Sequence, residues 1–140
     1  MQNYKNHRRV VISSHGLTWL PAIALLIGAT INLVNSSKEN LYSASLIVLI
    51  ALLLISIMLH ARSFALKAQD RAIRAEENLR HFILTGRPLD ARLSLGQVIA
   101  LRFASDEEFP ALAQKAAEEK LSNKQIKQEV QHWRPDYHRA

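Results

Sequence analysis

The chain reads as an all-α membrane protein: a two-helix transmembrane hairpin, a second span continuous with a cytoplasmic helical stalk, and a small module of three short helices. Three observations predict this. Two uncharged apolar runs, Leu17–Val34 and Leu41–Leu59, lie six polar residues apart. No Gly or Pro interrupts Leu41–Thr85. Beyond Pro88, three Ser residues (Ser94, Ser105, Ser122) each stand three places before a Gln or Glu, the pattern of helix capping boxes.

Each apolar run holds 18 or 19 residues. At about 1.5 Å per residue, that length suits a hydrocarbon layer of roughly 30 Å. The expected segments are a basic N-terminal stretch 1–16, span one 17–34, an external loop 35–40, span two 41–59, a stalk 60–85 and a helical module 86–140. Mean hydropathy is −0.04, but this average conceals an apolar first half and a charged second half. The net charge of +6 flanks the apolar runs on both sides: Lys5, Arg8 and Arg9 precede the first span, and Arg62, Lys67, Arg71 and Arg74 follow the second. Only Lys38, beside Glu39, lies in the loop. Basic residues near spans stay on the cytoplasmic side, so both termini are expected there, with the lipid bilayer as the first partner. A cleaved signal peptide fits poorly, since the apolar run exceeds the usual length and no A-x-A site follows.

Pro21 belongs to the first helical turn, where a missing N–H costs little. Trp19 and Tyr42 suit the two interfaces. Ala24, Gly28 and Asn32 form a small-residue stripe expected to pack the hairpin, with Ser45 and Ser56 as hydrogen-bond partners for the amide. No acid or base lies inside either span, which leaves an ion or proton relay without a charged member.

Along the stalk, Ala65, Ala68, Ala72, Ala75, Leu79 and Phe82 recur at spacings of 3 and 4, as in a coiled-coil seam. Leu66, Ile73 and Ile83 widen it. Asp70, Arg71, Arg74 and Glu77 make a charged second face, with Asp70–Arg74 and Glu76–Arg80 at pairing distance along a helix. The seam awaits either the chain's own module or another chain.

Gly86 and Pro88 end the stalk. The module helices are expected at Leu95–Ala104, from Ser105 to about Lys120, and from Ser122 to a point before Arg134–Pro135, with Leu121 and Ile126 as a hydrophobic staple. Leu93, Val98, Ile99, Phe103, Leu112, Ala116, Leu121, Ile126, Val130 and Trp133 are the expected core. So small a core is marginal alone and is expected to lean on the stalk.

The chain has no cysteine, no H-x-x-x-H pair and no Gly-rich phosphate loop, so no catalytic, cofactor or metal residues are assigned and no enzyme activity is expected. The alternative is a membrane-tethered nucleic-acid regulator, in which the helix–turn–helix-like segment 109–134 presents Lys124, Lys127 and Arg134 to phosphates. The acids Glu118, Glu119 and Glu129 beside it argue against nucleic acid.

Four segments taken together carry a resemblance: Gln2–Arg9, Gln69–Arg80, Leu101–Glu108, and Ile126–Lys127 with Trp133–Asp136. On these the chain resembles a family of small bacterial two-span membrane proteins, a domain of unknown function. The resemblance implies a bacterial inner-membrane location and no assigned activity. The expected role is an accessory or scaffold that works by helix-mediated association, with a protein partner or with itself.

Overall fold

A computed structural model describes residues 16–136. The basic segment with Arg8 and Arg9, and the tail Tyr137–Ala140, lie outside the described residues. Among the described residues five helices are defined: α1 (Trp19–Val34), α2 (Leu41–Thr85), α3 (Leu95–Leu101), α4 (Phe109–Glu118) and α5 (Asn123–Glu129). No strand occurs among the described residues, only an isolated antiparallel bridge between Ala104 and Trp133. The chain divides into two compact units, with the boundary inside α2 between Ala65 and Leu66.

In the first unit, α2 is the one described helix long and apolar enough to cross a membrane, by length and composition. Its most apolar 18-residue window is only 11% buried. Helix α1 is apolar but spans 16 residues, shorter than the run from Leu17 that the sequence suggested. Pro21 accounts for this. It has no N–H to donate to the Leu17 carbonyl four residues back, and the helix is interrupted at Thr18 before it runs on from Trp19.

The shielded positions of α1 are Ala22, Leu26, Ala29 and Leu33, and those of α2 are Ala44, Val48, Ala51 and Ile55. Both sets recur at 3 and 4 residues, and Ala29, Ala44 and Ala51 are the most buried. This is the pattern of helices laid together along small residues. It corrects the expected contact: Ala24, Gly28 and Asn32 are exposed, and a methyl added at Gly28 would meet nothing within 4 Å. The two stripes sit roughly a third of a turn apart around α1, so only one can be shielded. Nor do the serines reach across. Ser45 donates to the Tyr42 carbonyl at 2.7 Å, and Ser56 pairs with His60 one turn along the same helix at 3.4 Å.

In the second unit, Gly86 ends α2 in the left-handed conformation (φ 72°), and its N–H donates to the Phe82 carbonyl at 2.7 Å. Asn78 Oδ1 accepts from the Leu89 N–H at 2.9 Å and fixes the start of the following turn. Ser94 with Gln97, and Ser122 with Gln125, form complete capping boxes on α3 and α5. The box expected at Ser105 is half made: Glu108 accepts the Ser105 N–H, but α4 begins only at Phe109. Glu108 also accepts from the N–H groups of Gln131 and His132, both at 3.1 Å, tying the C-terminal strap to the start of α4. Its side chain serves three backbone donors rather than one helix.

Helix α4 stops at Glu118 in a Schellman turn, with the Leu121 N–H donating to the Ala116 carbonyl at 3.2 Å. Lys120 holds the left-handed position (φ 52°) that glycine usually fills. Helices α3 and α5 are shorter than expected, closing at Leu101 and Glu129. Leu101, Ala104 and Phe109 prove fully buried alongside Val98, Phe103 and Ile126, whereas Ile99 and Trp133 are only half-buried.

Candidate functional site

Helix α2 from Leu66 onward is the element on which the sequence placed its candidate residues, and the module covers one side of it. The covered side carries Ile73 and Glu77, both buried, and Arg80, whose side chain is 11% exposed. Arg80 is the centre of the contact. It donates to Glu77 Oε2 at 2.9 Å, to the Ala104 carbonyl at 2.8 Å and, through Nε, to Asp106 Oδ1 at 2.7 Å. Its guanidinium lies over the Phe109 ring, 4.4 Å from the centroid. His81 meets the same ring edge-on at 5.8 Å and contacts the Arg87 carbonyl through Nδ1 at 2.8 Å. A buried carboxylate and a buried guanidinium thus satisfy one another and the end of α3, which is what burial of both charges requires.

The seam is elsewhere. Ala68, Ala72, Ala75, Leu79 and Phe82 are all exposed, as is Ala65 in the other unit. At 100° per residue their mean direction is nearly opposite that of Ile73, Glu77 and Arg80. The module therefore does not fill the seam, contrary to one of the two expectations for it. The reason is chemical: Arg80 finds a carbonyl, a carboxylate and a ring on the module, and no alanine offers comparable contacts. The charged face is also divided. Arg71 and Arg74 are exposed, Asp70 is half-buried, and Glu77 is taken into the module contact. The expected pairs Asp70–Arg74 and Glu76–Arg80 do not form among the described residues; Arg80 turns to Glu77 instead of Glu76.

A cleft of about 400 Å³ opens beside this contact, lined by Ile73, Glu76, Glu77, Arg102, Arg134, Pro135 and Asp136. Arg102, buried at 7% exposure, pairs with Asp136 at 3.1 Å and lies over the Phe103 ring at 4.8 Å. Arg134 reaches Glu77 Oε1 at 3.9 Å, and its N–H donates to the Phe103 carbonyl at 2.7 Å. The cleft is where the strap is held down. Sequence reading paired Arg80 with Glu76 and gave Arg102, Asp106 and Asp136 no part in this contact. The available signal was Arg102 itself, a cation inside the otherwise apolar run Val98–Ala104.

The nucleic-acid candidates separate. Lys124 is exposed, Lys127 Nζ lies 5.6 Å from the Phe103 ring centroid, and Arg134 leans toward Glu77. Two of the three cations thus have intramolecular engagements. On α4, Lys115 bonds both oxygens of Glu129 at 2.9 Å, and that hydrogen bond raises the lysine above its ordinary pKa. Asp90, gripped by Arg92, falls to about 2. Both groups are on the surface and hold turns together. Among the described residues no cluster of His, Asp and Glu is arranged to hold a metal ion.

No curated protein and no solved structure matches this chain. One family model does, over residues 1–140, and the chain belongs to that family, a family of unknown function designated DUF6526.

Proposed function

We propose that this protein is a small, non-catalytic accessory or scaffold of a bacterial cytoplasmic membrane, anchored by α1 and the first part of α2 as two spans. Both termini are cytoplasmic, and the remainder of α2 with its module presents a helical face to a protein partner. The observation that carries this reading is the open face of α2. Leu79, Phe82 and Ile83 are 59%, 53% and 73% exposed, although a module packs on the other side of the same helix. Large apolar side chains left in water on a well-covered helix are the mark of an association surface.

The membrane part of the reading is supported by inverted burial in the first unit. Alanines are inside, while Leu46, Leu49, Leu52, Leu53 and Ile57 are 40% to 63% exposed, an arrangement that hydrocarbon tolerates and water does not. The charge asymmetry across the loop supports the orientation.

The chain has no cysteine, so one introduced thiol is unique. Ala72→Cys in intact membranes, treated with a thiol cross-linker, is expected to give an adduct heavier than the monomer; a product only at monomer mass overturns association through this face. Reporter fusions at Ser37 and Ala140 are expected to report opposite sides of the membrane, and matching sides overturn the two-span topology.

A further inference from the structure

The occupant of the open face can be read from the charges beside it, and this reading rests on the association proposed above. We infer that the face binds a second copy of this chain, parallel and in register, as a short two-stranded coiled coil closed by reciprocal Arg71–Glu76 ion pairs.

The apolar residues fix the register. Leu79 and Phe82, with Ala72, Ala75 and Ala68 leading up to them, take the a and d positions of a heptad pattern. That assignment puts Arg71 and Asn78 at g, and Glu76 and Ile83 at e. It puts Ile73 and Arg80 at b and Glu77 at f, the outer side of a coiled coil, and these are the residues the module covers. The module therefore occupies the one side of the helix that a dimer leaves free. Arg71 and Glu76 are both exposed and form no ion pair among the described residues.

In a parallel pair each g residue faces the e residue five places further along the other helix. Arg71 at g and Glu76 at e are five apart. An identical parallel copy therefore places Arg71 beside Glu76 of the second copy, and symmetry repeats the contact, giving two pairs from one sequence. Asn78 and Ile83 make the next g–e step. An antiparallel copy instead sets g against g and e against e, bringing Arg71 toward its own row and Glu76 toward its own. A self-complementary flank of this kind points to the same chain rather than to an unrelated one.

The alanines at a and d let backbones approach closely, and Leu79 and Phe82 add apolar area at the end of the seam. Two heptads are too few to hold two free helices together, but chains confined to one membrane, with the same topology, meet in parallel at a high effective concentration.

The test is a charge exchange in the full-length protein, in membranes, read by cysteine cross-linking at Ala72→Cys. R71E alone and E76R alone each replace two attractions by two repulsions, and about a tenfold loss of dimer is expected from each. R71E and E76R in one chain should restore the dimer. Co-expressing the R71E chain with the E76R chain should yield the mixed dimer in preference to either self-pair. Single thiols at Ala72, Ala75, Leu79 and Phe82 should each cross-link to their own counterpart, and one at Arg74, outside the seam, should not. Recovery in the double variant and in the mixture separates ion-pair loss from misfolding.

No recovery in either, or cross-linking independent of seam position, overturns the parallel dimer. An Ala72→Cys adduct at the mass of a different protein overturns self-association while leaving the scaffold reading standing. No adduct of any mass overturns both.

Discussion

The two units of this molecule bury opposite kinds of side chain. In the first, the most shielded residues are Ala29, Ala44 and Ala51, and most of the leucines and isoleucines point outward. In the second, Phe103, Phe109, Leu101, Ile126 and Val98 are fully buried, and the exposed surface is mostly charged or polar apart from the open face with Leu79, Phe82 and Ile83. The second arrangement is driven by water: removing large apolar groups from it yields the stabilisation. The first leaves most of its large groups outside and buries three alanines deepest, so close backbone approach is what it gains. Helix α2 takes part in both arrangements.

That comparison is exposed to experiment most sharply at Phe109. Phe109→Ala removes a fully buried ring that supports both Arg80 and His81 and is expected to cost the module about 3–5 kcal/mol. The chain's two tryptophans, Trp19 and Trp133, fall one in each unit, so Trp19→Phe leaves Trp133 as reporter of the module. A urea transition of Trp133 fluorescence in mild detergent measures the loss. Leu53→Ala, at a position 52% exposed in the first unit, should leave that transition unchanged.

Ala51→Leu tests the other side of the comparison. Overfilling a position 1% exposed between helices should destabilise the first unit by about 1–3 kcal/mol, whereas Ala24→Leu, on the exposed stripe, should be tolerated. Detergent-induced unfolding followed by Trp19 emission, with Trp133 replaced by Phe, distinguishes them. If both are tolerated, the alanine contact is not what holds the pair together.

Glu108→Ala strips an acceptor from the N–H groups of Ser105, Gln131 and His132, for an expected loss of about 1–3 kcal/mol. Hydrogen exchange should quicken at those three amides first. Lys120→Gly works in the opposite direction: relief of a left-handed, non-glycine backbone should stabilise the module by about 1 kcal/mol, seen as a higher urea midpoint at unchanged slope.

The smallest effect is in acid. Arg92 holds the Asp90 carboxyl down to about 2 from 3.8, so the turn's contribution is complete above the ordinary carboxylate range and fades as pH falls toward 2. Asp90→Asn should flatten only that part of the acid titration of stability.

Much of this architecture was legible along the chain. The uninterrupted run from Leu41 to Thr85 is a single helix, and the Ser–Gln pairs at 94/97 and 122/125 cap helices as their spacing says. These features depend on residues three or four apart, and their physics is complete within one turn. At Ser105 the spacing is only half honoured: Glu108 accepts the Ser105 N–H but also the amides of Gln131 and His132, 23 and 24 residues away, a tie no local pattern shows.

What the sequence determined by itself was which segments are helical, where the capped helices begin and which runs are long and apolar, since propensity, capping and hydropathy are local. What only the tertiary structure decided was which face of each helix is covered. Helix α1 offers both Ala24/Gly28/Asn32 and Ala22/Leu26/Ala29, and α2 offers both Ala72/Leu79/Phe82 and Ile73/Glu77/Arg80. Periodicity alone ranks such faces equally. Arg80 broke the tie on α2, because Ala104, Asp106 and Phe109 supply a carbonyl, a carboxylate and a ring on that side alone.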